Sequence, residues 1–445
     1  DGPFNILANQ TNTLPDLEFM PMAAFEYIKT AGCAQCHPDE ADVAGRHGHP
    51  YKINKVVNNQ APTYPFSQLP VDIIDRIDGA DNTLGAPDDW SDVPYVIGGY
   101  HWKVRFMDAN GYIVTGSEVQ YNYETDEMVA YHDDETDKVF NCGNCHTTGW
   151  RHTDANFNPN NQDGLEGIVG TWSEPGIRCE SCHGGGAKHA QTMDADDIVR
   201  VASGRSSGEL QEPLMGYGLA MSCAECHTRD GEKDWRGQDN PDNFFSNYQL
   251  WAGPNAFGEW GGRISASSGL VRHHEQYDEI VGIDPDDPKI GSTRSSNFLG
   301  THGDCMTCHR VHETTVNQDA SGDDPGLIGW DGDSDTPVKA SCMRCHDDYD
   351  PEDRDSGGMR GLDCTDCHMP QMAKSAVAHA AVGEGPVTGD VTSHIFGINL
   401  GDEAPQFTDG GSFSYPYITA DWACRTCHNG VDLFGIGSTE NFIFH

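Results

Sequence analysis

Five residues, Cys179-Glu180-Ser181-Cys182-His183, follow a pattern that the chain repeats seven more times, beginning at Cys33, Cys142, Cys223, Cys305, Cys342, Cys364 and Cys424. Each copy reads C-x-x-C-H. On one helical turn, positions i, i+3 and i+4 share a face, so both thiols and the imidazole point the same way. That is the attachment signature of a c-type haem: two thioethers to the vinyl groups, and a histidine below the porphyrin as proximal iron ligand. The copies consume all 16 cysteines. A zinc ribbon uses C-x-x-C pairs without needing a histidine after each, and a disulfide framework leaves the aligned histidines unexplained.

The cofactor-binding cysteines are therefore Cys33, Cys36, Cys142, Cys145, Cys179, Cys182, Cys223, Cys226, Cys305, Cys308, Cys342, Cys345, Cys364, Cys367, Cys424 and Cys427. The proximal ligands are His37, His146, His183, His227, His309, His346, His368 and His428. The expected complement is eight covalently attached haem c groups in 445 residues.

Such loading changes what the chain needs in order to fold. Only 36% of residues are hydrophobic, and Gly (51) and Pro (24) are frequent. Porphyrins supply apolar surface that side chains would otherwise provide. The expected fold is mostly irregular, with short α-helices around stacked haems. One stretch departs from this. Between the first two motifs, Tyr95–Ile97, His101–Met107, Tyr112–Thr115, Val119–Tyr123 and Met128–Tyr131 are short and rich in β-branched and aromatic residues. A turn signal, Asp108-Ala109-Asn110-Gly111, separates two of them, which predicts a small β-meander insert near residues 93–131.

The motif spacing divides the chain into five segments. Residues 1–50 form an N-terminal arm with the first haem, and 51–141 a haem-free insert containing the meander. Haems two to four occupy 142–227. An irregular connector follows at 228–300, with a helix-like segment at Val271–Val281. Haems five to eight and a tail fill 301–445. Asp331–Asp335 alternates oxygen ligands like a calcium loop, but Thr336 and Cys342 stand where an EF-hand needs Gly and Glu. A solvated acidic turn outranks calcium there.

The second axial position of each iron decides its use. A protein ligand suits a haem to electron transfer, and an open position suits it to chemistry. Eight of the 21 histidines follow cysteine pairs, and enough remain for every iron. The distal candidates are His49, His132, His189, His274, His302, His312, His379 and His394. His189 and His312 lie too close to their own motifs to wrap back over them, but each can reach a neighbouring haem. On a helix the side chains of His273 and His274 would diverge, so one of the two is expected to bind. Met369 and Met372 are the competing thioethers. Mostly bis-histidine ligation implies low potentials.

Charge narrows the partners. With 27 basic and 70 acidic residues the net charge is −43, which excludes nucleic acid and leaves redox proteins or extracellular acceptors. No apolar run is long enough to span a membrane. The start at Asp1 predicts a removed signal peptide, hence a periplasmic or extracellular home. The terminal His445 raises self-association into a filament, with one subunit lending a ligand to the next.

At these residues the chain resembles the multihaem c-type cytochromes of anaerobic respiration and nitrogen cycling. Cys364–Pro370, C-T-D-C-H-M-P, is similar to a segment of pentahaem nitrite reductases and their octahaem relatives. Cys179–His189 and Cys305–His312 resemble haem-pair segments of cytochrome c554-like and decahaem cytochromes. Octahaem members of that superfamily include hydroxylamine oxidoreductase and tetrathionate reductase, and similar multihaem proteins polymerise into extracellular filaments. The resemblance implies either an electron carrier or a reductase or oxidase of a small nitrogen or sulfur compound. Nitrite reductases of the group usually carry C-x-x-C-K at the catalytic haem, whereas every motif here ends in histidine. No tyrosine is marked for the haem cross-link of hydroxylamine oxidoreductase.

Intact-mass spectrometry of the purified protein should show the polypeptide plus eight haem masses, and acid–acetone extraction should remove none of them.

Overall fold

In the computed structural model the chain is described at residues 26–65, 67–153, 158–199, 220–221, 223, 226–228, 263–282, 284–286, 305, 309, 312, 364–401 and 404–429. The sixth motif, Cys342–His346, lies outside these residues. So do Cys308, His302, His445 and the acidic turn at 331–335.

The insert folds as a six-stranded sheet. Its strands are β1 (Ile53–Lys55), β2 (Asp78–Ala80), β3 (Tyr95–Gly98), β4 (Lys103–Phe106), β5 (Gly116–Asn122) and β6 (Glu127–Tyr131). Strands β3 to β6 run as an antiparallel meander, β1 adds to β3, and β2 adds to β5. Strand β3 shows why the sheet is stable. Its run Tyr95-Val96-Ile97 is buried at every position. Successive side chains of a strand point to opposite faces, so an unbroken apolar run needs a core on each side. Both cores exist. Val96 packs with Ile73, Ile77, Val104, Phe106 and Val119. Tyr95 and Ile97 pack with Ile53, Met107, Ile113, Phe140, Trp150 and Trp172. The low average hydrophobicity thus hides a local concentration, and this region builds a side-chain core that the composition alone argued against.

The second core places a haem motif. Phe140 and Trp150 bracket Cys142–His146, whose helix spans Gly143–His146. Gly143 lies against the indole of Trp150, where an added Cβ would come within 1.9 Å of Cε3. The variable position of that motif is therefore dictated by packing. On the far side, the carbonyl of Lys52, just ahead of β1, accepts from Nδ1 of His146 at 3.1 Å.

A second sheet corrects the expected irregular connector. Leu270–Arg272 is a strand, not helix; it hairpins with Ile264–Ser267 and pairs in parallel with Ala373–His379. Thr388–Val391 joins the other edge of that strand. The turn at His273 and His274 separates the strand from the helix Gln276–Val281, and His274 has φ 69°. The positive φ folds the two imidazoles together, with centroids 4.2 Å apart, instead of letting them diverge. Under this sheet Ile264, Leu270, Val271, Met372, Ile395, Ile418 and Trp422 form a third core, against which Cys424 packs. Met372 is 0% exposed within it, so its thioether is core packing. The two sheets meet where Trp102 Nε1 donates to the Asp390 carbonyl at 3.1 Å and Lys103 Nζ donates to the Ser375 carbonyl.

Because the first core contains no cysteine or histidine, Phe106→Ala should cost about 3–5 kcal/mol in denaturant unfolding. Haem stoichiometry by pyridine haemochrome assay should stay unchanged.

Candidate functional site: paired histidines around the C-x-x-C-H turns

Each described motif closes a helical turn. The amide of His37 donates to the Cys33 carbonyl at 2.9 Å, His227 to Cys223 at 3.0 Å, His309 to Cys305 at 2.8 Å and His428 to Cys424 at 2.8 Å. Cys179–His183 and Cys364–His368 are helices over their whole length. This is the geometry that sets two thiols and an imidazole on one face. None of the described cysteines forms a disulfide.

Motifs distant in sequence abut. The Cys33 and Cys179 thiols share a hydrogen bond, which raises Cys33 and lowers Cys179 to about 7. Two acids hold that contact. Glu180, 1% exposed between the cysteines of the third motif, accepts the amides of Ile28 at 2.9 Å, Lys29 at 2.8 Å and Gly186 at 2.8 Å. Glu174 accepts from the Thr30 amide at 2.7 Å and its hydroxyl at 3.0 Å. At the other end of the chain, burial raises Cys367, with the Cys424 and Cys427 thiols adding to it.

A second imidazole faces several of the proximal ones. The rings of His37 and His189 lie with centroids 6.3 Å apart and planes at 29°, those of His183 and His312 at 5.9 Å and 27°, and those of His309 and His394 at 6.2 Å and 36°. His227 has two neighbours with planes nearly perpendicular to its own, His49 at 6.2 Å and His274 at 5.9 Å. Two metal–nitrogen bonds of about 2 Å, plus the ring radii, separate opposed imidazole centroids by roughly 6 Å. The centroid separations therefore leave room for an iron between the rings of each pair.

The outer nitrogens complete the fit. A ligating histidine usually donates its other N–H to a carbonyl or carboxylate. Nδ1 of His183 meets the Val199 carbonyl at 2.7 Å, His189 meets Asp194 at 2.7 Å, and His368 meets Phe396 at 2.7 Å. His273 meets Lys374 at 3.1 Å, and His227 meets the Gln276 side chain at 2.8 Å. Burial also favours the neutral form, which metal binding requires, at the more enclosed of these histidines. It pushes His146 down to about 4, helped by the charges of Lys52, Arg105 and Lys103, and His394 down to about 3. His49, His227 and His309 are lowered by burial as well.

Other histidines stand elsewhere. His132 bonds Glu135 at 2.5 Å, and with Asp134 these form an exposed cluster. His379 pairs with Glu124 at 3.2 Å. His47 is buried against His49, with centroids 5.0 Å apart, and lies in the field of His312. Sequence spacing gave His47 no prominence and singled out neither Glu180 nor Gln276. Their partners lie far along the chain, so no local pattern marks them.

Helical C-x-x-C-H turns with second imidazoles beside them define a chain that resembles the multihaem c-type cytochromes. Residues 113–184, which span the second and third motifs, match the family described as cytochrome c554 and c-prime. Among solved structures the octahaem sulfite reductase MccA (form II) of Wolinella succinogenes aligns over 90% of this chain and 65% of its own, at 15% identity and TM-score 0.47. The outer cell wall cytochrome OcwA aligns over 91% and 84%, at 15% identity and TM-score 0.48. An undecahaem cytochrome from the S-layer of Carboxydothermus ferrireducens aligns over 79% and 52%, at 16% identity and TM-score 0.37. The chain thus spans less than two thirds of the first and third of these. No curated protein sequence matches it.

The buried histidines make stability fall on the acid side. His47 and His146 sit near 4 and His394 near 3, below the ordinary 6.5. Below about pH 6.5 the unfolded chain takes up protons that the folded chain refuses, at about 1.4 kcal/mol per pH unit per group. Their contribution is full above that value and is lost as pH falls toward 4. Glu279, raised to about 8 by burial, acts oppositely as a single group. Denaturant midpoints should therefore drop between pH 6.5 and 5, before ordinary carboxylates titrate.

Proposed function

We propose that the chain is an electron carrier whose haems are mostly closed on both faces by histidine, working outside the cytoplasm. The observation that carries this reading is the opposed imidazoles: His37 with His189, His183 with His312, and His309 with His394, at 5.9–6.3 Å. Covalent haem c supplies the change of oxidation state when bound. The chain's own residues do the rest. Cysteines on a helical turn would fix each ring in place, and paired histidines would keep the iron from binding small molecules. Carbonyls on Nδ1 hold the imidazole planes.

The placement of the first, third, fourth and fifth motifs supports a path among them. The Cys33–Cys179 contact brings the first and third sites together. His312 influences His47, which touches His49, whose ring faces His227. His227 in turn influences His394 and His309, so the fourth and fifth sites adjoin. Among the described residues no helix is long and apolar enough to cross a membrane, in keeping with a secreted carrier.

A second reading has one observation in its favour. The ring beside His146 is that of Phe140, at 6.4 Å, and the imidazole feels Lys52, Arg105 and Lys103. Those cations would favour a small anion at this site, as a reductase or oxidase requires.

Electron paramagnetic resonance of the oxidised protein separates the two. The carrier reading expects low-spin signals throughout, with one haem's share turning high-spin in His312→Ala. The reductase reading expects one high-spin share already in the wild type, shifted by nitrite or cyanide. A variant spectrum identical to wild type would remove His312 from the ligand set.

A further inference from the structure

The helix Gln276–Val281 and the residue before it carry three acids, Glu275, Asp278 and Glu279, each 0% exposed. Fully buried carboxyls are costly unless each has an occupation. Glu275 accepts the Ser265 amide at 3.1 Å. Asp278 accepts the Thr228 hydroxyl at 2.9 and 3.0 Å. Glu279 is paired with an imidazole, that of His394. Its Oε2 accepts the backbone amide of His394 at 2.5 Å, while its Oε1 is buried with no hydrogen bond. Nδ1 of His394 lies 3.7 Å from that same Oε2 and is also buried without a partner. The other side of this imidazole faces His309.

A histidine bound to metal through Nε2 needs an acceptor for its Nδ1–H. A carboxyl in that role fixes the ring plane and makes the imidazole a stronger donor. Here the two groups sit side by side: Nδ1 of His394 makes no hydrogen bond, Oε2 of Glu279 holds only the His394 amide, and a shift of less than 1 Å would join them. We propose that Glu279 is the positioning residue of the His309 haem, receiving Nδ1–H of His394 and so setting the orientation and donor strength of the second axial ligand. This rests on the bis-histidine reading. Its consequence is electronic: a stronger donor favours ferric iron and lowers the potential of that one haem.

Spectroelectrochemical titration of the holoprotein tests it. In Glu279→Gln one haem's share of the amplitude should move to higher potential, with spectra still low-spin and haem content unchanged. Glu279→Asp, which keeps the carboxyl on a shorter stem, should move the same share by less and covers the case where the amide variant is not produced folded. Glu275→Gln, altering a buried acid one turn away, should titrate as wild type. A Glu279→Gln curve that overlays wild type would overturn the proposal, and so would equal shifts in the Glu275 and Glu279 variants. His394→Ala run in parallel distinguishes the two levels. If it turns one haem high-spin while Glu279→Gln leaves potentials unmoved, only the role of Glu279 fails. If it changes no spin state, the ligation of this haem by His394 fails.

Discussion

A single helical turn that presents two thiols and an imidazole on one face is the unit to which the rest of the chain answers. Alone it is five residues long and holds nothing. Its neighbours give it a position. The third motif is seated by the amides that Glu180 accepts, and the second by Trp150 and the Lys52 carbonyl. The surrounding structure is mostly a set of devices for fixing such turns against one another. That explains why regular elements are short and why so many buried hydrogen bonds run from side chain to backbone.

Two ways of making an interior coexist. Around the motifs, imidazoles, thiols and buried acids crowd together, an arrangement that is poor packing by itself and suited to enclosing a large flat group. Beside them the insert is an ordinary sheet with side-chain cores on both faces, and the strand pairing of residues 270–272 with 373–379 covers a third core. The ordinary cores act as rigid walls. Phe140 and Trp150 belong to one of them and border the second motif, while Cys424 leans on another.

The legible part of this design was local. C-x-x-C-H declares its own turn, and the β-branched and aromatic runs in residues 95–131, with the turn signal between them, declare their own strands. What stayed hidden was long-range. The parallel pairing of Val271 with Ala373 has no signature in either segment, and Val271 and Arg272 looked helical because they run into a real helix. Among the histidines, sequence separation said which could not fold back on their own motif, but not which face they would meet. His379 and His132 lie beside Glu124 and Glu135, partners that spacing did not reveal.

The grip of Glu180 on Ile28 joins residues 152 positions apart. Ile28 therefore meets its partner only after more than a third of the polypeptide has followed it. The native seat of Cys33 and Cys36 is complete only once the third motif has been made, so the order of the chain leaves the first attachment point the later of the two to be enclosed.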